Sequence, residues 1–351
     1  MVEEHEDGFI DDEELLLLQQ GRGFSKKQNP EFPYWNHPKF DLNNWNDDEC
    51  WADFRFRKAD LNRLLTAFGL PGEMQTINRL KVSSLEALCI LLRRLAFPCR
   101  YSDLIPRFGR SVPDLCVICN HVLNLLYTNF NHLLTSFNQE WLSRDNLQYY
   151  ADCIHEKGAP LDFCWGFIDG TLRPVCRPET GQRLLYSGHK RVHGFKFQSV
   201  VAPNGLVANF FGPVEGSRHD SYMLALSGLL RTLEQHSFRA DGSALCIYGD
   251  PAYPLSVHIQ NAFKNPASDE EDDFNTAMSS VRVSVEWVFG DILERFRFTD
   301  FKKIMKVGLS PVAKQYAVSC LLNNVKTCLY GSNTSDFFEC QPPLLEDYLS
   351  G

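Results

Sequence analysis

The 351-residue chain lacks several features that would have decided its class early. No apolar run reaches the roughly 18 residues that a membrane-spanning helix requires; the nearest, Leu85–Leu95, is broken by Arg93 and Arg94. A secretory leader is basic and then apolar, whereas the first residues, MVEEHEDGFIDDEE, are acidic. The chain is therefore expected to be intracellular, with no membrane attachment. A disulfide framework is missing as well. The 12 cysteines are scattered singly through apolar segments and read as buried thiols. One close pair, Cys116 and Cys119, supplies two of the four ligands a structural zinc needs, and no second pair follows at finger spacing. Two core positions of one helix are the better reading.

Net basic charge is also missing: the formal charge is −9, but it is unevenly spread. Residues 1–60 carry 15 acids against 7 bases, residues 61–160 carry 8 against 10, and residues 161–351 carry 21 against 18. The acidity sits in front and the remainder is close to neutral, so a nucleic-acid partner is not excluded.

What is present divides into four parts. Residues 1–30 read as a disordered acidic leader with a short apolar helix at Glu14–Gln19. Residues 31–160 read as a helical domain. Three- and four-residue spacings from Trp51 to Phe68 predict one helix, ending at Gly69-Leu-Pro-Gly72, and Ser84–Leu95 predicts another. Tyr101–Leu115 predicts a short helix, a Gly109 turn, and a helix capped by Ser111 with Pro113 in its first turn. Segment 101–127 thus has a helix-turn-helix outline, which an ordinary helical hairpin shares. Its second helix offers only Arg110, Asn120 and His121 to a base edge, so direct readout there is weak.

Residues 161–330 change pattern. Phe163–Ile168, Phe195–Val201, Leu206–Phe211 and Leu245–Tyr248 predict strands; the second and third are joined by Ala202-Pro-Asn-Gly205, a hairpin turn. A helix is expected at Ser221–Gln235 with Asp220 as its cap, and a short fifth strand at Val257–Ala262. An acidic loop, Ser268–Asp273, precedes helices at about Ser280–Arg295 and Pro311–Leu329, and residues 331–351 read as a polar tail. The expectation is an α/β (α+β) fold: a ribonuclease-H-like domain preceded by a helical, helix-turn-helix-like one.

In such a sheet the first and fourth strands are neighbours. Asp169, the first residue past one, and Asp250, at the end of the other, would then meet although 81 residues separate them. Adjacent carboxylates repel unless a cation lies between them, and hard oxygen ligands suit Mg²⁺ or Mn²⁺. Glu286, lone in an apolar stretch, is expected to bring a third carboxylate. If buried it needs a partner, either the metal or Arg282 one helical turn before it. Between residues 173 and 196, Arg173, Arg177, Arg183, Lys190, Arg191 and Lys196 face only Glu179; they are expected to hold DNA phosphates without reading sequence.

Four ordered blocks carry a family likeness: Phe167-Ile-Asp-Gly-Thr171, Gly212-Pro-Val-Glu-Gly-Ser-Arg-His-Asp-Ser221, Tyr248-Gly-Asp-Pro-Ala-Tyr-Pro254 and Val281-Arg-Val-Ser-Val-Glu-Trp-Val-Phe-Gly290. Together they resemble the successive blocks of PIF/Harbinger-type transposases and their domesticated nuclease relatives. The resemblance implies a catalytic, metal-holding triad of Asp169, Asp250 and Glu286, with His219, Asp220 and Arg282 at the rim. Asp220 belongs to a family block, yet it follows the third strand and opens a helix, which argues for a cap. The tail of the last block departs from the family, whose members often have a basic residue near Asp291. The resemblance further implies a metal-dependent endonuclease or transposase acting on DNA in the nucleus. A Myb-like DNA-binding partner and a homodimer go with that reading; the cytoplasm would hold the protein only before partner binding. The alternative is a domesticated, catalytically silent DNA- or chromatin-associated module.

Overall fold

The structure is a computed structural model that describes residues 32–351; the acidic leader and its expected helix lie outside them. The first helical region opens with α1 (Asp47–Phe54) and α2 (Lys58–Ala67). Sequence spacing predicts these as one helix, but Arg55 adopts a left-handed conformation (φ 67°) and splits them. Asn46 and Glu49 close a capping box at the start of α1. A small hairpin not expected from sequence, β1 (Glu73–Gln75) and β2 (Lys81–Ser83), leads into α3 (Ser84–Ala96). Ser83 caps α3 by accepting from the Glu86 N–H.

After a 3₁₀ turn at Tyr101–Leu104 come α4 (Ile105–Phe108), the left-handed turn at Gly109 (φ 55°), and α5 (Val112–Phe130), which Ser111 caps through the Asp114 N–H. Any side chain at residue 109 would collide with the Pro38 carbonyl, so glycine is required there on two counts. The face of α5 that buries Leu115, Ile118, Val122 and Leu126 packs on α3. Cys116 and Cys119 lie on α5, the second fully in the core, and all 12 cysteines are free thiols. Helix α6 (Arg144–Glu156) closes the region and packs on the main sheet.

The main sheet is built from β3 (Cys164–Pro174), β4 (Tyr186–Ser187, after a short α7, Gln182–Leu185), β5 (Val192–Val201), β6 (Val207–Glu215), β7 (Cys246–Gly249) and β8 (Ile259–Asn261). Its order across the long strands is β6-β5-β3-β7-β8. β5 runs antiparallel to β3 and β6, whereas β7 and β8 run parallel to β3. Strand β3 is longer than the apolar run predicted. Its parallel pairing stops at Phe167 opposite Tyr248, but its antiparallel pairing with β5 continues through Asp169 to Pro174. Asp169 therefore lies within a strand, at the level where one of its two neighbours ends.

Between β6 and β7 the expected single helix is two, α8 (Asp220–Ser227) and α9 (Leu229–His236), divided by a left-handed Gly228 (φ 66°). The acidic stretch expected as a loop is the start of α10 (Asp269–Arg295). Ser268 caps it by accepting from the Glu271 N–H, and four acids in the first turn face the positive end of the helix dipole. Those two stabilising effects explain how so charged a segment becomes helical. α11 (Val312–Tyr330) packs against α5, α10 and β6.

The expected polar tail is instead folded into the core as α12 (Asn333–Phe338) and α13 (Leu345–Leu349). Phe338 stacks on Phe167 of β3, ring centroids 6.1 Å apart, and the Tyr348 hydroxyl accepts from Asn324 at 3.0 Å. Apolar side chains from Leu42 to Leu349 form one continuous core. Phe338→Ala is expected to cost about 3–5 kcal/mol, as truncation of a buried aromatic does. Chemical denaturation would read this, and a loss below about 1 kcal/mol would mean that the segment is not part of the core.

Candidate active site

Strand register delivers two carboxylates to one place. Phe167 and Tyr248 pair across the parallel β3–β7 ladder; Asp169 and Asp250 each stand two residues beyond, on the same end of the pair. The Asp169 carboxylate accepts from the Gly170 N–H at 2.8 Å, and that of Asp250 accepts from the Ala252 N–H at 2.9 Å, a turn that fixes its direction. Burial pushes the Asp169 carboxyl up to about 6. Arg282 and the Gly170 N–H oppose this, while the negative charges of Asp250 and Asp220 add to it. Of the two neighbouring acids, Asp250 acts on Asp169 more strongly than Asp220 does.

Helix α10 lies over this end of the sheet and supplies Arg282, whose Nη1 stands 3.7 Å from Asp169 Oδ2. That nitrogen is buried and has no hydrogen-bond partner among the described residues. The sequence offers Arg282 as one of two candidate partners for Glu286, the other being a metal; the ion pair of Arg282 is instead with Asp169. Glu286 itself is exposed. The helix buries Val281, Val285, Val288 and Ile292, and Glu286 falls on the solvent edge of that stripe, so no desolvation forces a partner on it. Among the described residues, no three His, Cys, Asp or Glu side chains are grouped as they would be around a metal ion.

Asp220 is not the cap expected of it. The capping position belongs to His219, which makes no side-chain cap bond and is exposed. Asp220 opens α8, and its Oδ1 accepts from Lys196 Nζ at 3.0 Å. Gly170 makes room for this: a Cβ there would lie 2.8 Å from Asp220 Oδ1. Tyr253, to which the sequence assigns no role, is buried three residues after Asp250, and its hydroxyl has no partner among the described residues. Burial and the charges of Asp220, Asp169 and Asp250 all raise its pKa, so it stays a neutral hydrogen-bond donor among acids.

The basic segment separates into two kinds of side chain. Arg177, Arg183, Lys190 and Arg191 are exposed between β3 and β5. Arg173 does not face outward as expected. It is 7% exposed, hydrogen-bonds Thr171 at 2.6 Å, pairs with Asp300 at 3.4 Å, and lies over the Tyr316 ring. Strand alternation turns it inward. Lys196 is likewise committed, to Asp220. In the helical region Arg110 is held by Glu86 at 2.5 and 2.7 Å, which takes one of three side chains away from base readout.

Residues 168–324 match the family of DDE superfamily endonucleases. This DDE-like segment runs from the strand bearing Asp169 into α11 and takes in Asp220, Asp250 and Glu286. The match supports a DDE, transposase-like nuclease; that superfamily generally uses divalent metals, and such a nuclease acts on DNA. No curated protein and no solved structure gives a match. Among the described residues, no helix is long and apolar enough to cross a membrane. Within the DDE-like segment, Asp169 and Asp250 are legible in the sequence. The Asp169–Arg282 and Asp220–Lys196 pairs are not, because neither spacing nor composition says which cation a carboxylate takes.

Proposed function

We propose that the protein is a metal-dependent DNA endonuclease of the PIF/Harbinger type, with Asp169, Asp250 and Glu286 as its catalytic carboxylates. The observation that carries this reading is the pair of aspartates set two residues past the last shared rung of adjacent parallel strands, one of them desolvated and beside Arg282. The strand order, with the first strand central and the second antiparallel to it, supports a ribonuclease-H-like domain. The four sequence blocks support the Harbinger assignment.

Asp169 and Asp250 fit Mg²⁺ or Mn²⁺ as hard carboxylate donors, and the Arg282 guanidinium stands where a positive charge is needed; Glu286, exposed, would complete the set by turning in toward them. Two bound ions would activate a water, or a freed 3′-hydroxyl, and stabilise the leaving oxygen. Asp169 and Asp250 would hold them, joined by Glu286 when Arg282 gives up Asp169. Arg282, one turn before Glu286 on α10, would then be free to meet the phosphate. Tyr253 keeps a hydroxyl donor beneath the acids, and Lys196 holds Asp220 back from Asp169. The exposed Arg177, Arg183, Lys190 and Arg191 would bind the duplex backbone. A Myb-like partner would supply the target sequence that α5 is poorly equipped to read, and DNA as substrate implies the nucleus. His219 and Arg282 line the rim.

Metal linkage tests the site. Mn²⁺ at about 100 times its Kd should stabilise the protein by roughly 2.7 kcal/mol, and Asp250→Asn should remove most of that. Equal thermal shifts in the wild type and in the Asp169, Asp250 and Glu286 variants would defeat the reading. A wild type that binds DNA but never nicks it with Mn²⁺, even with matched ends and a partner, would be the silent module instead.

A further inference from the structure

On the far side of α10 from the carboxylates, a cavity of about 520 Å³ opens between α1, the ends of α10 and α11, and the start of α12. Its lining includes Trp51, Arg55, Arg295, Arg297, Lys326 and Tyr330. Lys326 is only 4% exposed, and a buried ammonium ordinarily has a carboxylate partner. Among the described residues this one has a single hydrogen bond, to the Arg55 carbonyl at 2.7 Å. Its other contacts are aromatic: Nζ lies 3.3 Å from the Trp51 ring centroid and 4.9 Å from that of Tyr330.

The surrounding charges do not compensate it. Arg295 is paired with Asp291 at 2.8 Å, which uses up the one half-buried acid of the lining. Arg55 spends its guanidinium on two carbonyls, Ala52 and Arg295. Among the described residues, none of Arg55, Arg297 and Lys326 forms an ion pair. The remaining acids, Glu294 and Asp336, are exposed. Three cations without counter-ions thus face one concavity of the size that holds small ligands.

We propose that this cavity is a binding site for a phosphate group, with Lys326 and Arg297 as its donors and Arg55 adding positive field. Neither the family match nor the carboxylate site assigns it, and it stands whether or not the protein cuts DNA. A phosphate would give Lys326 the anionic partner its burial calls for, and Arg297 is placed at the open side to contact the same group. The state of Lys326 is consistent with a missing anion. Burial first, then the charges of Arg295, Arg55 and Arg57, bring its pKa down to about 7, with only Asp291 opposing. Phosphate binding should therefore draw a proton onto Lys326.

The test uses the full chain and inorganic phosphate, with chloride at matched ionic strength as control. Phosphate should raise the melting temperature beyond chloride at pH 7.5, and calorimetry in buffers of different ionisation heat should show proton uptake. Lys326→Met, which keeps the buried stem, should lose the shift and the uptake. Arg297→Gln, at the exposed rim and safe for folding, should weaken phosphate affinity about tenfold. Phosphate acting no differently from chloride, or both variants keeping the full effect, would overturn the proposal. Duplex DNA distinguishes the source. If the two variants each flatten the log–log salt dependence of DNA binding by about one unit, the group is a backbone phosphate. If DNA binding is unchanged while the inorganic phosphate effect is lost, it is a free phosphate compound.

Discussion

Asp169→Asn is expected to raise the melting temperature of the metal-free protein near pH 7 while abolishing Mn²⁺-dependent DNA cleavage. The sign follows from linkage. The carboxyl titrates near 6 in the folded protein against 3.8 when unfolded. Below about pH 4 both states hold the proton and nothing is lost. Between about 4 and 6 only the folded state keeps it, so stability falls as pH rises; above 6 the full penalty persists. Two units correspond to roughly 3 kcal/mol, reduced somewhat because the side chain is still partly exposed. Asparagine carries no charge to desolvate, so its variant should lack this decline. Melting curves from pH 4 to 8 would show it, and parallel curves for the two proteins would refute it. Added Mn²⁺ should reverse the order, stabilising the wild type and leaving the variant unmoved.

Charge reversal at Lys190 and Arg191 should weaken DNA binding by an order of magnitude or more. Its log–log salt dependence should become shallower by about two units, one for each phosphate no longer neutralised. Folding should not suffer, since both side chains are exposed. Arg173→Gln should behave in the opposite way. It removes a buried guanidinium tied to Thr171 and Asp300, costs about 1–3 kcal/mol of stability, and leaves the salt slope alone. Asp169→Asn offers a third pattern, with DNA bound as well or better because one negative charge facing the phosphate is gone. Equal slopes for wild type and the Lys190/Arg191 variant would mean that DNA enters by another face.

Much of the sheet can be read from the amino acids alone. Apolar runs bounded by Gly-Asp or Asp-Gly pairs locate β3 and β7, and Asn204-Gly205 locates the β5–β6 turn. Asp169 and Asp250 follow, because each comes directly after an apolar run, although Asp169 proves to lie within β3 and not past its end. What escapes is whatever depends on a distant neighbour. β3 runs on past its apolar stretch because β5 pairs with it there, and Arg173, polar by composition, turns inward by alternation. The acidic start of α10 reads as a loop on charge alone, and only its cap and the helix dipole make it helical. Glu286 is expected to bring a third carboxylate to the aspartates; Val285 and Val288 take the core and Glu286 is exposed. The residues after 330 look polar on average, but Phe338, Leu345 and Tyr348 are spaced to bury one side.

That last segment has a consequence in time. Phe338 covers Phe167 of the central strand, yet it is made about 170 residues later. The last strand of the sheet, β8, ends at Asn261, 77 residues before Phe338; at roughly 5–20 residues per second on the ribosome, about 4–15 s pass in which the sheet exists without its cover. During that interval the newborn protein shows an apolar strand face to everything around it. Its yield in a cell should therefore depend on chaperone attendance during synthesis more than on the final stability of the fold.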